Sequence, residues 1–181
     1  MIKQSKFSNG INFRYKLLIG LGNPGPDYTK TYHNAGSFFI DLLSDGKKFK
    51  KADGFVYLKT GGVILVKPLS FMNESGHSVK KAFEYFKVTP AEALIIHDDS
   101  DLSMGEFRFA ANRGTAGHNG VKSIMDVCKT NDINRLRLGV RRDTPGGRLK
   151  AGDFVLKIMG KKDMATLQSI AAELKEELLD S

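Results

Sequence analysis

The chain has 181 residues and a formal net charge of +8, from 28 lysines and arginines against 20 aspartates and glutamates. Its length fits one domain with its own core, no apolar run approaches the ~18 residues of a membrane span, and the start lacks a secretory signal. The single cysteine, Cys128, excludes an internal disulfide framework, so these features predict a cytoplasmic protein and suit a polyanionic partner.

Short apolar strands alternate with amphipathic helices along the chain. In the first half, the predicted elements are a loose extension over residues 1–13, a buried strand over 16–21, a helix over 34–45, a hairpin of strands over 54–59 and 63–66, and a helix over 75–86. In the second half, they are a strand over 93–97, a strand over 105–110, a helix over 119–128, a strand over 135–140, a turn-rich loop over 143–147 and a helix over 164–178. This order predicts a single three-layer α/β/α domain over residues 14–181, with a mixed, largely parallel central sheet.

Three predicted loops carry unusual polar clusters. They cover residues 22–34, 97–101 and 113–119. Because functional sites of open α/β sheets lie in loops at the carboxyl ends of strands, we expect the site to be built from these segments.

The first of these loops begins with a glycine pattern. Gly20, Gly22 and Gly25 follow a strand and match the spacing G-x-G-x-x-G of dinucleotide-binding proteins. The match is weak because prolines follow at once and the next helical pattern begins only near residue 34. A glycine-rich turn with special backbone angles is the simpler interpretation.

The histidines offer a second set of candidates. The stretch from His97 to Asp101 contains imidazole and carboxylate groups, which are common metal ligands. Adjacent strand residues point to opposite faces, however, and no paired-histidine spacing of a metal site is present. We therefore predict that the protein holds no metal and assign no role to His77.

The remaining candidates are typical of a hydrolase whose hydrogen-bond donors are neutral. A histidine base, an aspartate to orient it and several asparagine amides are present, and an amide donates to an oxyanion without quenching a nearby base. No serine elbow motif and no activated cysteine stand out, so a water molecule is the expected nucleophile. Taken singly, His33, Asn23, Asn73 and Asn119 also suit the capping of turns and helices.

Five ordered segments resemble the signatures of the bacterial-type peptidyl-tRNA hydrolase family. They are residues 20–36 (GLGNPGPDYTKTYHNAG), 67–76 (KPLSFMNESG), 97–102 (HDDSDL), 117–124 (GHNGVKSI) and 135–139 (RLRLG). The resemblance implies a monomeric α/β hydrolase that needs no cofactor. Such an enzyme cleaves the ester between the peptide and the 3′ ribose of peptidyl-tRNA and releases tRNA for reuse in translation.

The resemblance also assigns roles by position. His33 matches the catalytic base, Asp98 its carboxylate partner and Asn23 a catalytic amide. The positions that match substrate-binding residues of the family are Tyr28, Met72, Asn73, His118 and Asn119. Arg108 and Arg137 fall near positions where basic residues meet tRNA phosphate.

The chain departs from the family pattern at several points. Tyr32 stands where the family usually has arginine or lysine, Ser103 replaces a proline, and Ala116 replaces a glycine. These differences concern tRNA contacts and loop shape rather than the chemistry. A module that binds RNA on the same scaffold without cleaving it is the rival function, and the complete set of Asn23, His33 and Asp98 speaks against it.

Overall fold

The computed structural model describes residues 15–144, 147–148 and 151–179. The strands are β1 (Leu17–Gly20), β2 (Lys50–Ala52), β3 (Phe55–Thr60), β4 (Val63–Pro68), β5 (Ala93–Ser103), β6 (Phe107–Ala110), β7 (Asn134–Arg141), β8 (Asp143–Thr144) and β9 (Gly147–Arg148). The helices are α1 (Ala35–Leu43), α2 (Ser75–Phe86), α3 (Asn119–Cys128), α4 (Ala151–Phe154) and α5 (Lys161–Leu179). The predicted extension over 1–13 lies outside the described residues.

The central sheet has the strand order β2-β3-β4-β1-β5-β7-β6. Its middle strands β4, β1, β5 and β7 are mutually parallel, whereas β3 and β6 pair antiparallel with their neighbours. Successive side chains of β1 point to opposite faces of the sheet and contribute to two apolar layers. Leu18 packs with α1 and α5, and Ile19 packs with α2 and α3. The predicted three-layer domain with a mixed, largely parallel sheet is confirmed.

One predicted loop is part of a strand. The strand predicted over 93–97 continues as β5 to Ser103, so the prediction of a loop over 97–101 was wrong. Its register with β7 holds through Asp99 before it shifts. A run of acidic residues usually indicates that a buried strand has ended. Here the carboxylates of Asp98 and Asp99 accept hydrogen bonds from neighbouring side chains, which compensates for the cost of burying them.

Three short strands were not predicted from the sequence. Lys50 and Lys51 belong to β2 at the edge of the central sheet, whose exposed side chains show no apolar alternation. The turn-rich segment predicted over 143–147 contains β8 and the first residue of β9, and these two strands pair antiparallel as a separate small sheet. The final helix begins at Lys161, before its apolar pattern starts. Among the described residues, none of the helices has the length and apolar character needed to cross a membrane.

Two glycines bring α1 against the carboxyl end of β1. A Cβ atom on Gly36 would lie 2.1 Å from the carbonyl oxygen of Ile96, and one on Gly20 would lie 2.3 Å from the carbonyl oxygen of Gly36. Backbone atoms at such distances cannot move aside without shifting the helix or the strand. Gly20, the first glycine of the G-x-G-x-x-G pattern, therefore serves close helix–sheet packing, whereas Gly25 takes a positive φ in the turn that follows.

We expect Gly36→Ala to lower the free energy of unfolding by roughly 1–3 kcal/mol, because the added methyl overpacks a backbone contact. Urea unfolding followed by circular dichroism measures this change. Gly114→Ala is the matched control: its Cβ meets nothing within 4 Å, and we expect a change of no more than about 0.5 kcal/mol. Equal stability of the two variants would contradict the close contact.

Candidate active site

His33 lies in a 3₁₀ turn over Tyr32–Asn34, directly before α1. Its backbone N–H donates to the carbonyl oxygen of Val155 at 2.8 Å, which ties the turn to the segment before α5. The ring Nδ1 lies 2.9 and 3.1 Å from the two carboxylate oxygens of Asp98 on β5. The side chains of His33 and Asp98 are only 14% and 4% exposed. The fold thus brings these two residues, far apart in sequence, into direct contact.

A second imidazole reaches the same carboxylate. The Nε2 atom of His118 lies 2.9 Å from Oδ1 of Asp98, and its Nδ1 accepts a hydrogen bond from the backbone N–H of Val121 at 3.3 Å. Because Nδ1 accepts, the ring proton of His118 is on Nε2 and is donated to Asp98. Burial raises the pKa of Asp98, but the interactions with His118 and His33 outweigh it and hold that pKa well below its usual range. Asp98 is therefore a carboxylate at neutral pH.

The carboxylate also decides where the proton of His33 sits. Nδ1 faces Asp98 and carries the proton, which leaves the lone pair on Nε2. Burial lowers the pKa of His33, but the hydrogen bond and the charge of Asp98 outweigh this, so the pKa is raised above 6.5. The ring borders a cleft of about 180 Å³ that His118 and Asn119 also line. His33 is therefore a candidate base that borders a cleft large enough for several water molecules or a small chemical group.

Asn23 is held in place by a neighbour that sequence reasoning did not assign. Asn34 is buried, and its amide binds both backbone groups of Asn23: the Asn23 N–H donates to Oδ1 of Asn34, and Nδ2 of Asn34 donates to the Asn23 carbonyl, each at 2.9 Å. The side-chain Oδ1 of Asn23 accepts from the backbone N–H of Met72 at 2.8 Å. The Nδ2 group of Asn23 is left as a donor. In the sequence, Asn34 stands out only by its place next to His33 at the start of a predicted helix.

The other substrate-binding candidates surround this core to different degrees. Met72 is buried in a 3₁₀ turn, and its sulfur packs against Gly120 at the start of α3. Asn73 and Asn119 are exposed, and among the described residues their side chains have no hydrogen-bond partner. Tyr28 contacts the exposed ring of Phe71 edge-on, with centroids 6.2 Å apart. Among the described residues, no hydrogen bond or ring contact joins Asn73, Tyr28 or Met72 directly to His33.

The two predicted phosphate contacts stand opposite each other on neighbouring strands. Arg108 of β6 and Arg137 of β7 occupy paired register positions. Nε of Arg137 donates to Oδ2 of the buried Asp99 at 2.7 Å, whereas Arg108 is exposed and has no described ion-pair partner. Lys47, Lys48, Lys50 and Lys51 lie toward the opposite edge of the sheet, in β2 or just before it. The arginine pair is connected to β5, the strand of Asp98, through the ion pair of Arg137 with Asp99.

His33, Asp98 and His118 offer three potential metal ligands within 4.8 Å of one another. Both nitrogens of His118 are already engaged, since Nδ1 accepts from Val121 and Nε2 donates to Asp98. A metal here would have to displace ring protons that serve the carboxylate. The hydrogen bonds to Asp98 and Val121 account for the near positions of these ring nitrogens without a metal ion.

His97 behaves differently from the other histidines near the site. Its Nδ1 donates to the backbone carbonyl of Asp98 at 2.7 Å, and its ring meets that of His118 edge-on, with centroids 4.6 Å apart. Complete burial holds the pKa of His97 well below 6.5, so the ring is neutral. It packs behind the site and does not join a metal set with the acids that follow it.

Comparison with known proteins agrees with the motifs. The family model described as peptidyl-tRNA hydrolase matches residues 17–180. The peptidyl-tRNA hydrolase of Mycolicibacterium vanbaalenii is 38% identical, with 90% of each chain covered, and that of Exiguobacterium sibiricum is 39% identical, with 87% of this chain and 88% of the relative covered.

Solved structures give the same result for the fold. The peptidyl-tRNA hydrolase of Acinetobacter baumannii superposes with a TM-score of 0.80 at 28% identity, over 95% of this chain and 91% of that one. The chain belongs to the peptidyl-tRNA hydrolase family.

Proposed function

We propose that the protein hydrolyses the ester between the peptide and the 3′ ribose of peptidyl-tRNA, and so releases tRNA for reuse. One observation carries the proposal: a buried carboxylate, Asp98, holds His33 with its Nε2 lone pair free, beside a cleft and near a neutral amide donor, Asn23. The membership of the chain in a family of such hydrolases supports the choice of substrate.

The chemistry uses water as the nucleophile. Nε2 of His33 takes a proton from water while the water oxygen bonds to the ester carbonyl carbon, and the carbonyl electron pair moves onto its oxygen. Nδ2 of Asn23 donates to this oxyanion. The tetrahedral intermediate then expels the ribose oxygen, which receives the proton from Nε2. Asp98 stabilises the imidazolium during these steps and is not itself protonated.

The remaining candidates bind the substrate in this proposal. Asn73 and Asn119 offer unpaired amides to the peptide backbone, and Met72 and Tyr28 offer apolar contact. His118 orients Asp98 and begins α3, so that Asn119 is held at the cleft.

The tRNA portion is bound through its phosphates. Arg137 and Arg108 provide cationic side chains one and two strands away from Asp98, in a protein with a net charge of +8. We further propose that the enzyme acts as a monomer in the cytoplasm, without a metal or cofactor, with its catalytic domain beginning near residue 14. The free thiol of Cys128 fits a reducing compartment.

Replacing His33 by alanine removes the base. We expect turnover of N-acetyl-aminoacyl-tRNA to fall by ~10²–10⁴-fold with the fold retained. The assay compares this substrate with free aminoacyl-tRNA, and the wild type is expected to prefer the blocked form. His77→Ala, which alters an exposed histidine on α2, is expected to be as active as wild type. Retention of more than about a tenth of the activity in His33→Ala would overturn the assignment.

The pH profile reports the coupling of His33 to Asp98. Protonation of His33 removes the base, so kcat/KM falls as pH drops through its pKa, which Asp98 raises above 6.5. Asp98→Asn removes the charge while burial remains. We therefore expect the acid limb to move to lower pH, and kcat to fall by about 10²-fold or more because the amide stabilises the wrong tautomer. An acid limb at an unchanged pH would argue that another group is the base.

Salt dependence tests the phosphate contacts and also the rival RNA-binding function. With the inactive His33→Ala protein, tRNA affinity is measured by fluorescence anisotropy between about 50 and 200 mM salt. Arg108→Gln is expected to weaken binding and lower the slope of log K against log salt by about 1. Lys50→Gln, on the opposite edge strand, should leave the slope unchanged. Tight binding by a wild-type protein that cleaves no ester would instead identify a binding module.

A further inference from the structure

The 3₁₀ turn over Tyr32–Asn34, called here the catalytic turn, has a second anchor on the side away from Asp98. The hydroxyl of Tyr32, the residue before His33, donates to Oδ2 of Asp163 at 2.5 Å. Asp163 lies in the first turn of α5, and its other oxygen accepts from Nη2 of Arg142 at 3.1 Å. Tyr32 and Asp163 are both buried. A buried carboxylate shared by a phenol and a guanidinium is a costly arrangement unless each partner is kept.

The chain around Tyr32 is also tied to the segment before α5 by its backbone. The N–H groups of Tyr32 and His33 donate to the carbonyls of Lys157 and Val155 at 3.1 and 2.8 Å. The N–H of Met159 donates back to Lys30 at 2.8 Å. The ring of Tyr32 meets that of Phe154 edge-on. The Tyr32–Asp163 hydrogen bond closes this ladder at the end that meets α5.

We propose that Tyr32 and Asp163 are positioning residues for the base: their hydrogen bond clamps the catalytic turn to α5 and thereby sets the contact between His33 and Asp98. The inference rests on the proposed function, in which His33 is the base. One side of the turn is held by the rigid strand β5 through Asp98, and the other by the long helix α5 through Asp163. An imidazole between two anchors keeps its orientation, and a misplacement of about 1 Å costs up to ~10²-fold in rate.

The hydroxyl of Tyr32 is suited to a permanent bond. Burial, followed by the hydrogen bond and charge of Asp163, raises the pKa of Tyr32 to about 12. The phenol therefore stays protonated and donates throughout the pH range of catalysis. The Tyr32 hydroxyl does not titrate there, so the loss of this hydroxyl removes no titrating group from the pH profile.

Two variants remove the bond from opposite ends. Tyr32→Phe keeps the ring and deletes the donor, and Asp163→Ala deletes the acceptor. Tyr15→Phe is the matched control, since Tyr15 is another buried tyrosine of the same apolar cluster, and no hydrogen bond or ring contact of the described residues joins it to the turn over Tyr32–Asn34. Each full-length protein is assayed for kcat and KM, and the pKa of His33 is read directly by NMR of its ring nitrogens.

We expect Tyr32→Phe to lower kcat by about tenfold or more, with KM within about twofold. The pKa of His33 should fall toward 6.5 as its contact with Asp98 loosens. Asp163→Ala should have the same effects. The kcat of the double variant should be no lower than that of the less active single variant, because both substitutions remove the same hydrogen bond. Tyr15→Phe should leave kcat and the titration unchanged even if it lowers Tm.

A wild-type kcat and His33 titration in whichever of the two variants folds would overturn the inference. So would additive losses in the double variant, which indicate separate effects. This outcome is distinct from a failure of the proposed function. In that case His33→Ala would remain active, whereas the ring titration, which needs no turnover, would still report whether Tyr32 positions His33.

Discussion

The buried carboxylate of Asp98 is the group on which the site depends. A carboxylate at 4% exposure is stable only with hydrogen-bond donors around it. Two imidazoles supply them, His33 from the turn before α1 and His118 from the start of α3. The need to stabilise one buried charge therefore brings the turn before α1 and the start of α3 together at β5. The same contacts set the tautomers of both rings, so the proposed catalysis depends on the hydrogen bonds that stabilise the buried charge.

Around this charge the site relies on neutral groups in fixed orientations. The paired hydrogen bonds between Asn23 and Asn34 leave the Asn23 backbone no freedom, and the Met72 N–H orients its side-chain amide. Close contact of Gly20 with Gly36 leaves no room for α1 to shift against β1. A donor that is already oriented needs no reorganisation when charge develops on a substrate oxygen.

Adjacent residues of β5 pair with different groups. Asp98 pairs with the imidazoles, while Asp99 pairs with Arg137, which faces Arg108 on the next strand. The proposed ester site and the proposed phosphate contacts are therefore both connected to this strand. On the far side of the turn, the Tyr32–Asp163 bond links the turn that holds His33 to α5. The imidazole of His33 thus lies between the sheet and the last helix.

The sequence by itself determined the elements with a strong local pattern. The predicted ranges 75–86 and 119–128 coincide with α2 and α3, because apolar spacing and helix-start residues are local signals. The motifs named His33 and Asp98, but their roles remain proposals. Only the tertiary structure decided that β5 continues through its acids, that Asn34 clamps Asn23 and that Tyr32 bonds a residue 131 positions away. A polar residue is buried or exposed according to partners that folding supplies, and no local periodicity records them.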